Sequence, residues 1–252
     1  MSDIKRCGIY SFPKSGNTWM RELIRALFEI DEPTSTAIPD IYENGVDGKV
    51  VLSNSGQQWK FYKSHSKSEV VSHQNNSVVN DLIIYIVRNP YDVFCSQLNY
   101  VLRGFEKNKG RMILTSNSVD EAADLGLIEE YFSAFTVYGT LDPYFWDAGN
   151  WKENVSNWLD MASKDERVVI IRYEDMVEDI NKALVPVANR LGVSADKINS
   201  AFELADTRTN DGGKFFWKKS SGTYKNYLLE KNIDKFKKYH SDILIPLGYE
   251  EY

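Results

Sequence analysis

Pro13-Lys14-Ser15-Gly16-Asn17-Thr18-Trp19 is a short polar turn between an apolar run and a helical pattern. Such a turn suits phosphate: backbone N–H groups at a helix start are unpaired and carry partial positive charge, a glycine lets the backbone approach closely, and Lys14 adds a full charge. Taken alone, it fits an ordinary strand-to-helix turn with a surface lysine as well. It is not the common nucleoside-triphosphate loop, G-x-x-x-x-G-K-S/T, because it has a single glycine and its lysine comes first. Nor does a strand-end aspartate stand where it would hold the magnesium that phosphoryl transfer usually requires. Positive charge recurs at Lys63, Arg88 and Lys218-Lys219, and Lys14, Lys63 and Arg88 fall where strands are expected to end. His65 follows Lys63-Ser64; an imidazole titrates near the working pH and suits proton transfer, although a lone strand-end histidine is more often a structural hydrogen-bonder. Arg88 offers a planar fork with two parallel donors for phosphate oxygens, or, read by itself, caps a turn beside Asp92. His73 and His240 lack any such context and are expected at the surface.

These residues need elements to place them. Residues 7–12 read as a short buried strand that Pro13 stops, and Trp19, Met20, Leu23, Ile24 and Leu27 then recur on one helical face, with Arg21, Glu22 and Arg25 on the other. Residues 59–65 read as a second strand. Residues 82–87 are a continuous apolar run of the kind buried on both faces of a sheet. Asn89 suits an N-cap and Pro90 the first helical position, so a helix follows at once. Residues 168–171 make a fourth buried strand, followed from Tyr173-Glu174-Asp175 by a helix to about Leu191, which Gly192 can terminate. Strands alternating with helices imply an α/β fold with a mainly parallel sheet, covered on both faces and binding ligands at the carboxyl ends of its strands.

Three ordered segments resemble the sulfotransferases that use 3'-phosphoadenosine 5'-phosphosulfate. Residues 11–19 resemble the family's 5'-phosphosulfate loop, a P-loop-like turn, and residues 86–93 through Ser96 resemble its 3'-phosphate segment. Between them Lys63-Ser64-His65 resembles the family's Lys-Thr-His triplet, whose histidine is the catalytic base. Gly149-Asn150-Trp151, Trp158 and Arg172-Tyr173-Glu174-Asp175-Met176 resemble the stretch where the family places an adenine-contacting tyrosine. The resemblance implies that Lys14 faces the bridging oxygen, that Ser15, Gly16, Asn17, Thr18 and Trp19 cradle the donor and that Lys63 assists the transferring group. It further implies that Arg88 and Ser96 hold the 3'-phosphate, that Tyr173 meets the adenine and that His65 takes the acceptor proton. The donor is then 3'-phosphoadenosine 5'-phosphosulfate (PAPS) and the product 3'-phosphoadenosine 5'-phosphate (PAP), with no metal required. One region departs from the family: where an Arg-Lys-Gly cluster is usual, this chain reads Trp217-Lys218-Lys219, so either lysine is open as the 3'-phosphate contact.

A chain of 252 residues, 42% hydrophobic and 13% aromatic, is expected to form one domain, residues 1–252, with a substantial core. Its net charge of −6 weighs against nucleic acid as a partner. Two cysteines, Cys7 and Cys95, and a beginning without a secretory pattern point to a reducing cytoplasm, and no apolar run is long enough to span a membrane. The expected partner is a small-molecule acceptor; a homodimer is left open. Residues 103–151 break the strand–helix alternation and are expected to build an acceptor pocket or lid, part of it helical around 128–138. Between Met112 and Trp151 there is no lysine or arginine, whereas Asp120, Glu121, Asp124, Glu129, Glu130, Asp142 and Asp147 interleave with Tyr131, Phe132, Phe135, Tyr138, Tyr144, Phe145 and Trp146. Rings and carboxylates together could hold a cationic acceptor; equally, the acids form a solvated helix face over buried aromatics. Two rivals stand beside the transferase reading: a P-loop kinase-like enzyme, marked by magnesium dependence, and a nucleotide-binding module without catalysis.

Overall fold

A computed structural model describes residues 3–41, 48–73, 76–103, 115–141, 146–209 and 218–249. The apolar run before the polar turn forms β1 (Lys5–Ser11), and α1 (Asn17–Leu27) starts directly after Gly16. A short α2 (Thr34–Ala37) and a two-residue β2 (Val51–Leu52) lead to β3 (Gln58–Ser64). The small hairpin of β4 (Ser72–His73) and β5 (Asn76–Ser77) precedes β6 (Leu82–Val87), buried at every position as its unbroken apolar sequence requires. Then come α3 (Pro90–Arg103), α4 (Val119–Asp124), α5 (Ile128–Tyr138) and α6 (Trp151–Ala162). After β7 (Val168–Arg172) the chain is helical: α7 (Tyr173–Glu178), α8 (Ile180–Leu191), α9 (Ile198–Thr209) and α10 (Glu230–Leu244).

Among the described residues the main sheet has the order β2-β3-β1-β6-β7, parallel throughout except for the edge strand β2. The chain moves from β1 to one side for β3 and then to the other for β6 and β7, so the order reverses at β1, the place where open α/β sheets leave a ligand crevice. Side chains alternate along the strands. Cys7, Ile9, Ile84, Ile86 and Ile171 pack against α1, α8 and α9, while Tyr10, Ile83, Tyr85 and Val87 pack against α3, α5, α6 and α10. The expected α/β fold is thus observed, and α5 has the bounds its periodicity suggests. No helix among the described residues is long and apolar enough to cross a membrane.

Three expectations are corrected. The helix after β7 is two helices, because Asp179 is extended (φ −149°) and its carboxylate accepts the N–H groups of Asn181 and Lys182 at 3.0 and 3.1 Å, starting α8 afresh. Glu22 and Arg25 do not face solvent: the segment 31–34 folds over them, Arg25 donates to Glu22 at 2.6 Å and to the Asp31 carbonyl at 3.2 Å, and both residues are buried. His240 is half-buried with its ring 4.2 Å from that of Phe236, and burial lowers its pKa. Of His73 only the backbone is described.

Candidate functional site

The carboxyl ends of β1, β3, β6 and β7 bring the sequence candidates to one edge of the sheet. After β1 the chain turns tightly, Ser15 N–H donating to the Phe12 carbonyl at 3.2 Å, and enters α1 through Gly16 at φ 108°. Only glycine suits that place: besides the strained φ, a Cβ there would stand 2.7 Å from the Tyr173 ring. Lys14 also has a left-handed backbone (φ 71°), which for a non-glycine residue must be held by its surroundings. Its ammonium lies 4.6 Å from the centre of the Tyr100 ring on α3. The start of α1 has no side-chain cap and no acidic residue in its first turn, whereas Ser118, Asn150 and Asp179 cap α4, α6 and α8. Asn17 is turned inward, its amide donating to the Ile9 carbonyl at 3.1 Å and to Ser11 Oγ at 3.3 Å, so it braces the turn while Thr18 is half-buried at its rim.

His65 leaves β3 and bends back onto β1. Its Nδ1 lies 2.9 Å from the Ser11 carbonyl; that oxygen can only accept, so Nδ1 carries the proton and the ring's lone pair is on Nε2. Burial, first, and then the Lys63 ammonium push the imidazole pKa down to about 3, with Lys14 acting in the same direction and the Ser11 contact and Asp40 opposing. The ring is therefore neutral at physiological pH, the protonation state a base needs. Lys63 is ion-paired with Asp40.

Arg88, just beyond β6, is 6% exposed. It donates from Nη1 to the Lys14 carbonyl at 3.1 Å and from Nη2 to the Ser220 carbonyl at 3.2 Å, and its guanidinium lies 4.1 Å from the centre of the Tyr173 ring. One arginine so links the loop after β1, the helix after β7 and the segment beginning at Lys218. Its buried Nε has no hydrogen-bond partner among the described residues, and neither has the buried Ser15 Oγ. Uncompensated buried polar atoms are costly, and two at one strand edge fit a phosphate-bearing ligand. Tyr173 and Trp19 lie under the loop, both 4% exposed, their rings 5.6 Å apart edge to face. Gly16 lies against the edge of the Tyr173 ring and Arg88 across one face of it. Ser96 is half-buried on α3.

The two C-terminal lysines part: Lys218 lies in electrostatic reach of Cys95 on α3, as Arg88 does, whereas Lys219 is held elsewhere. Lys219 bonds to the Asp206 carboxylate at 2.7 Å and to Thr209 Oγ1 at 2.5 Å, drawing it toward α9. Lys218 is exposed, 3.3 Å from the Tyr227 hydroxyl. The aromatic cage for a cation is absent from the described residues: Tyr131, Phe132 and Phe135 are core residues packed with Phe94 and Phe236, and the acids around them are engaged at the surface. Asp120 accepts from the Tyr227 hydroxyl at 2.7 Å, Glu121 from the Asn117 N–H at 2.6 Å, and Glu129 pairs with Lys231 at 2.7 Å. Asp142, Tyr144 and Phe145, like Trp217, lie outside the described residues.

Several supporting residues escape a reading by residue type. Buried Asp92 accepts the N–H groups of Gly222 and Tyr224 at 2.7 and 3.1 Å, which fixes the 220–224 segment over the start of α3. Glu174 accepts the Asn89 N–H at 2.9 Å and the Tyr249 hydroxyl at 2.7 Å, and burial raises its pKa. From α6, Trp151 donates to the Arg88 carbonyl at 3.3 Å, Trp158 to the Ser66 carbonyl at 3.0 Å and Asn154 to the His65 carbonyl at 3.1 Å. The one available signal was the pair of tryptophans, since a buried indole N–H needs an acceptor.

Comparison with known proteins identifies the family and the fold. The Sulfotransferase domain family profile matches residues 6–244. A flavonol 4'-sulfotransferase of Flaveria chlorifolia is 23% identical over 271 residues, covering 94% of this chain and 78% of its own. Sulfotransferase 2A2 of Mus musculus is 23% identical over 255 residues, covering 91% and 81%. In fold, the chain is similar to mouse sulfotransferase SULT7A1, solved in complex with PAP, with a TM-score of 0.64 at 19% identity over 98% of this chain and 88% of that one.

Proposed function

From the premise that this chain belongs to the sulfotransferase domain family, we propose that it transfers a sulfuryl group from PAPS to a hydroxyl or amine of a small-molecule acceptor, with His65 as general base. The observation that carries this reading is the convergence at one sheet edge of an uncapped helix start bearing Lys14, a tethered Arg88 and a neutral imidazole with its lone pair on Nε2. The unpartnered Ser15 Oγ and Arg88 Nε support the fit to a phosphate-bearing nucleotide.

When bound, PAPS supplies an activated sulfuryl group and a phosphate leaving group. His65 Nε2 accepts the acceptor's proton, and the Ser11 carbonyl holds the ring's tautomer while it does so. Lys14 and the first N–H groups of α1 face the negative charge that grows on the departing phosphate, in a place where fixed donors need little reorganisation. Arg88 grips the 3'-phosphate and Lys63 steadies the transferring group. The acceptor side is assigned to residues 103–151. Its acids and rings that are described serve the surface and the core, so a cationic acceptor draws no support from them. Buried, unpaired Cys7 and Cys95 agree with a reducing cytoplasm.

The test is His65→Ala. Turnover should fall about a hundred- to ten-thousand-fold, the range for loss of a general base, while PAP still binds in calorimetry. Unchanged turnover would remove His65 from the chemistry. Activity that survives excess chelator separates the enzyme from a magnesium-dependent kinase, and a panel of cationic and neutral acceptors reads the acceptor's charge.

A further inference from the structure

The strip that carries Asp40 is lashed to β3 beside the site. Lys63 N–H donates to the Pro39 carbonyl at 2.8 Å, Ile41 N–H donates back to the Lys63 carbonyl at 3.1 Å, and Asp40 forms a parallel bridge with Lys63. From the other side Arg21 donates to the Thr34 carbonyl at 3.1 Å and to that of Ile38. On this post the Asp40 carboxylate meets the Lys63 ammonium, each side chain 13% exposed. Both charges, with Lys14, lie in the electrostatic reach of the His65 ring.

A carboxylate here is not what a pocket for an anionic nucleotide needs, since it repels the ligand and neutralises one of the ammonium groups that attract it. Nor does the pair as a whole argue for stability, because two buried charges replaced together by apolar groups often cost a fold little. We propose that Asp40 is the positioning residue for Lys63, holding its ammonium in a neutralised rest position from which an arriving anion must draw it. The clamp lowers affinity for the nucleotide and keeps Lys63 aimed across the end of β3. That the anion is the 5' end of PAPS or PAP rests on the function proposed above.

The experiment is calorimetric binding of PAP to wild type, Asp40→Asn, Asp40→Glu, Lys63→Met and the Asp40→Asn/Lys63→Met double variant, with melting temperatures recorded alongside. Asp40→Asn should bind PAP about tenfold more tightly, the size of a charge-assisted contact released from competition. Asp40→Glu, which keeps the charge, should stay near wild type. Lys63→Met should bind more weakly than the double variant, because it leaves Asp40 alone against the phosphate; this comparison holds even if Asp40→Asn folds poorly. A purely structural Asp40 gives the opposite pattern, with binding weakened or unchanged in Asp40→Asn and equal in Lys63→Met and the double variant, and either result overturns the inference. Wild type that binds no PAP overturns the functional reading and this inference with it; wild type that binds, with Asp40→Asn no tighter, overturns the inference alone.

Discussion

The strand-end edge and the helical flank at 115–141 are made of the same residue types, charges mixed with aromatic rings, and use them in opposite ways. At the edge the charges are held inside: Arg88 is buried with its donors on two backbone carbonyls, Lys63 is paired with Asp40, and the rings of Tyr173 and Tyr100 lie against cations. In the flank the rings of Phe132 and Phe135 are buried against Phe94, and the acids stand outside, Glu121 accepting the Asn117 N–H and Glu129 paired with Lys231. Charge withdrawn from water is expensive unless a ligand or partner returns the interaction, whereas charge left in water does little. The edge is therefore where single substitutions should matter and the flank where they should not.

The sharpest break in that contrast comes at Lys14. Lys14→Ala should lower turnover by about a hundred- to a thousandfold, as for loss of one preorganised group facing developing charge. Lys14→Gly should lose as much turnover yet keep or gain stability, by up to about 1 kcal/mol, because it relieves the left-handed backbone. A Lys14→Gly protein that melts well below wild type would count against the strain. Arg88→Ala comes next: PAP binding in calorimetry should weaken by about 2–4 kcal/mol, and unchanged affinity would refute its role. His65 gives a pH effect. Its folded pKa lies below the ordinary value, so the unfolded chain takes the proton first as pH falls. Stability should then be constant above about 6.5 and decline from there toward pH 3. His240 is lowered too, so the quantity to read is the difference between wild type and His65→Gln, whose acid limb should be shallower. Smallest is Glu129→Gln in the flank. Loss of its exposed pair with Lys231 should change stability by no more than about 0.5 kcal/mol and leave turnover alone; a large effect on turnover would bring the flank into the site.

The same contrast explains what could be read from the chain. The strand Leu82–Val87, the Asn89-Pro90 helix start and the Gly192 stop follow from local rules of burial, capping and φ, and the structure has them where those rules put them. The turn before α1 was legible for the same reason. Asp40, Asp92 and Glu174 were not, because their partners are an ammonium or backbone N–H groups brought in by chain folding; a backbone donor leaves no mark in a sequence. The flank misled in another way. Interleaved acids and rings look alike whether the rings enclose a ligand or fill a core, and only the position of α10, whose Phe236 completes the cluster around Phe132, decides between them.

Helix α6 grasps three backbone carbonyls, those of His65, Ser66 and Arg88, through Asn154, Trp158 and Trp151. His65, proposed as the base, and Arg88, proposed as the phosphate grip, thus share a single rivet. Fraying of that helix would release both at once, so the enzyme would switch off as a unit rather than drift into a half-competent state. By thermodynamic reciprocity, nucleotide seated at the strand ends would slow solvent exchange at the Trp151 and Trp158 indole protons, on a helix that lies behind the site.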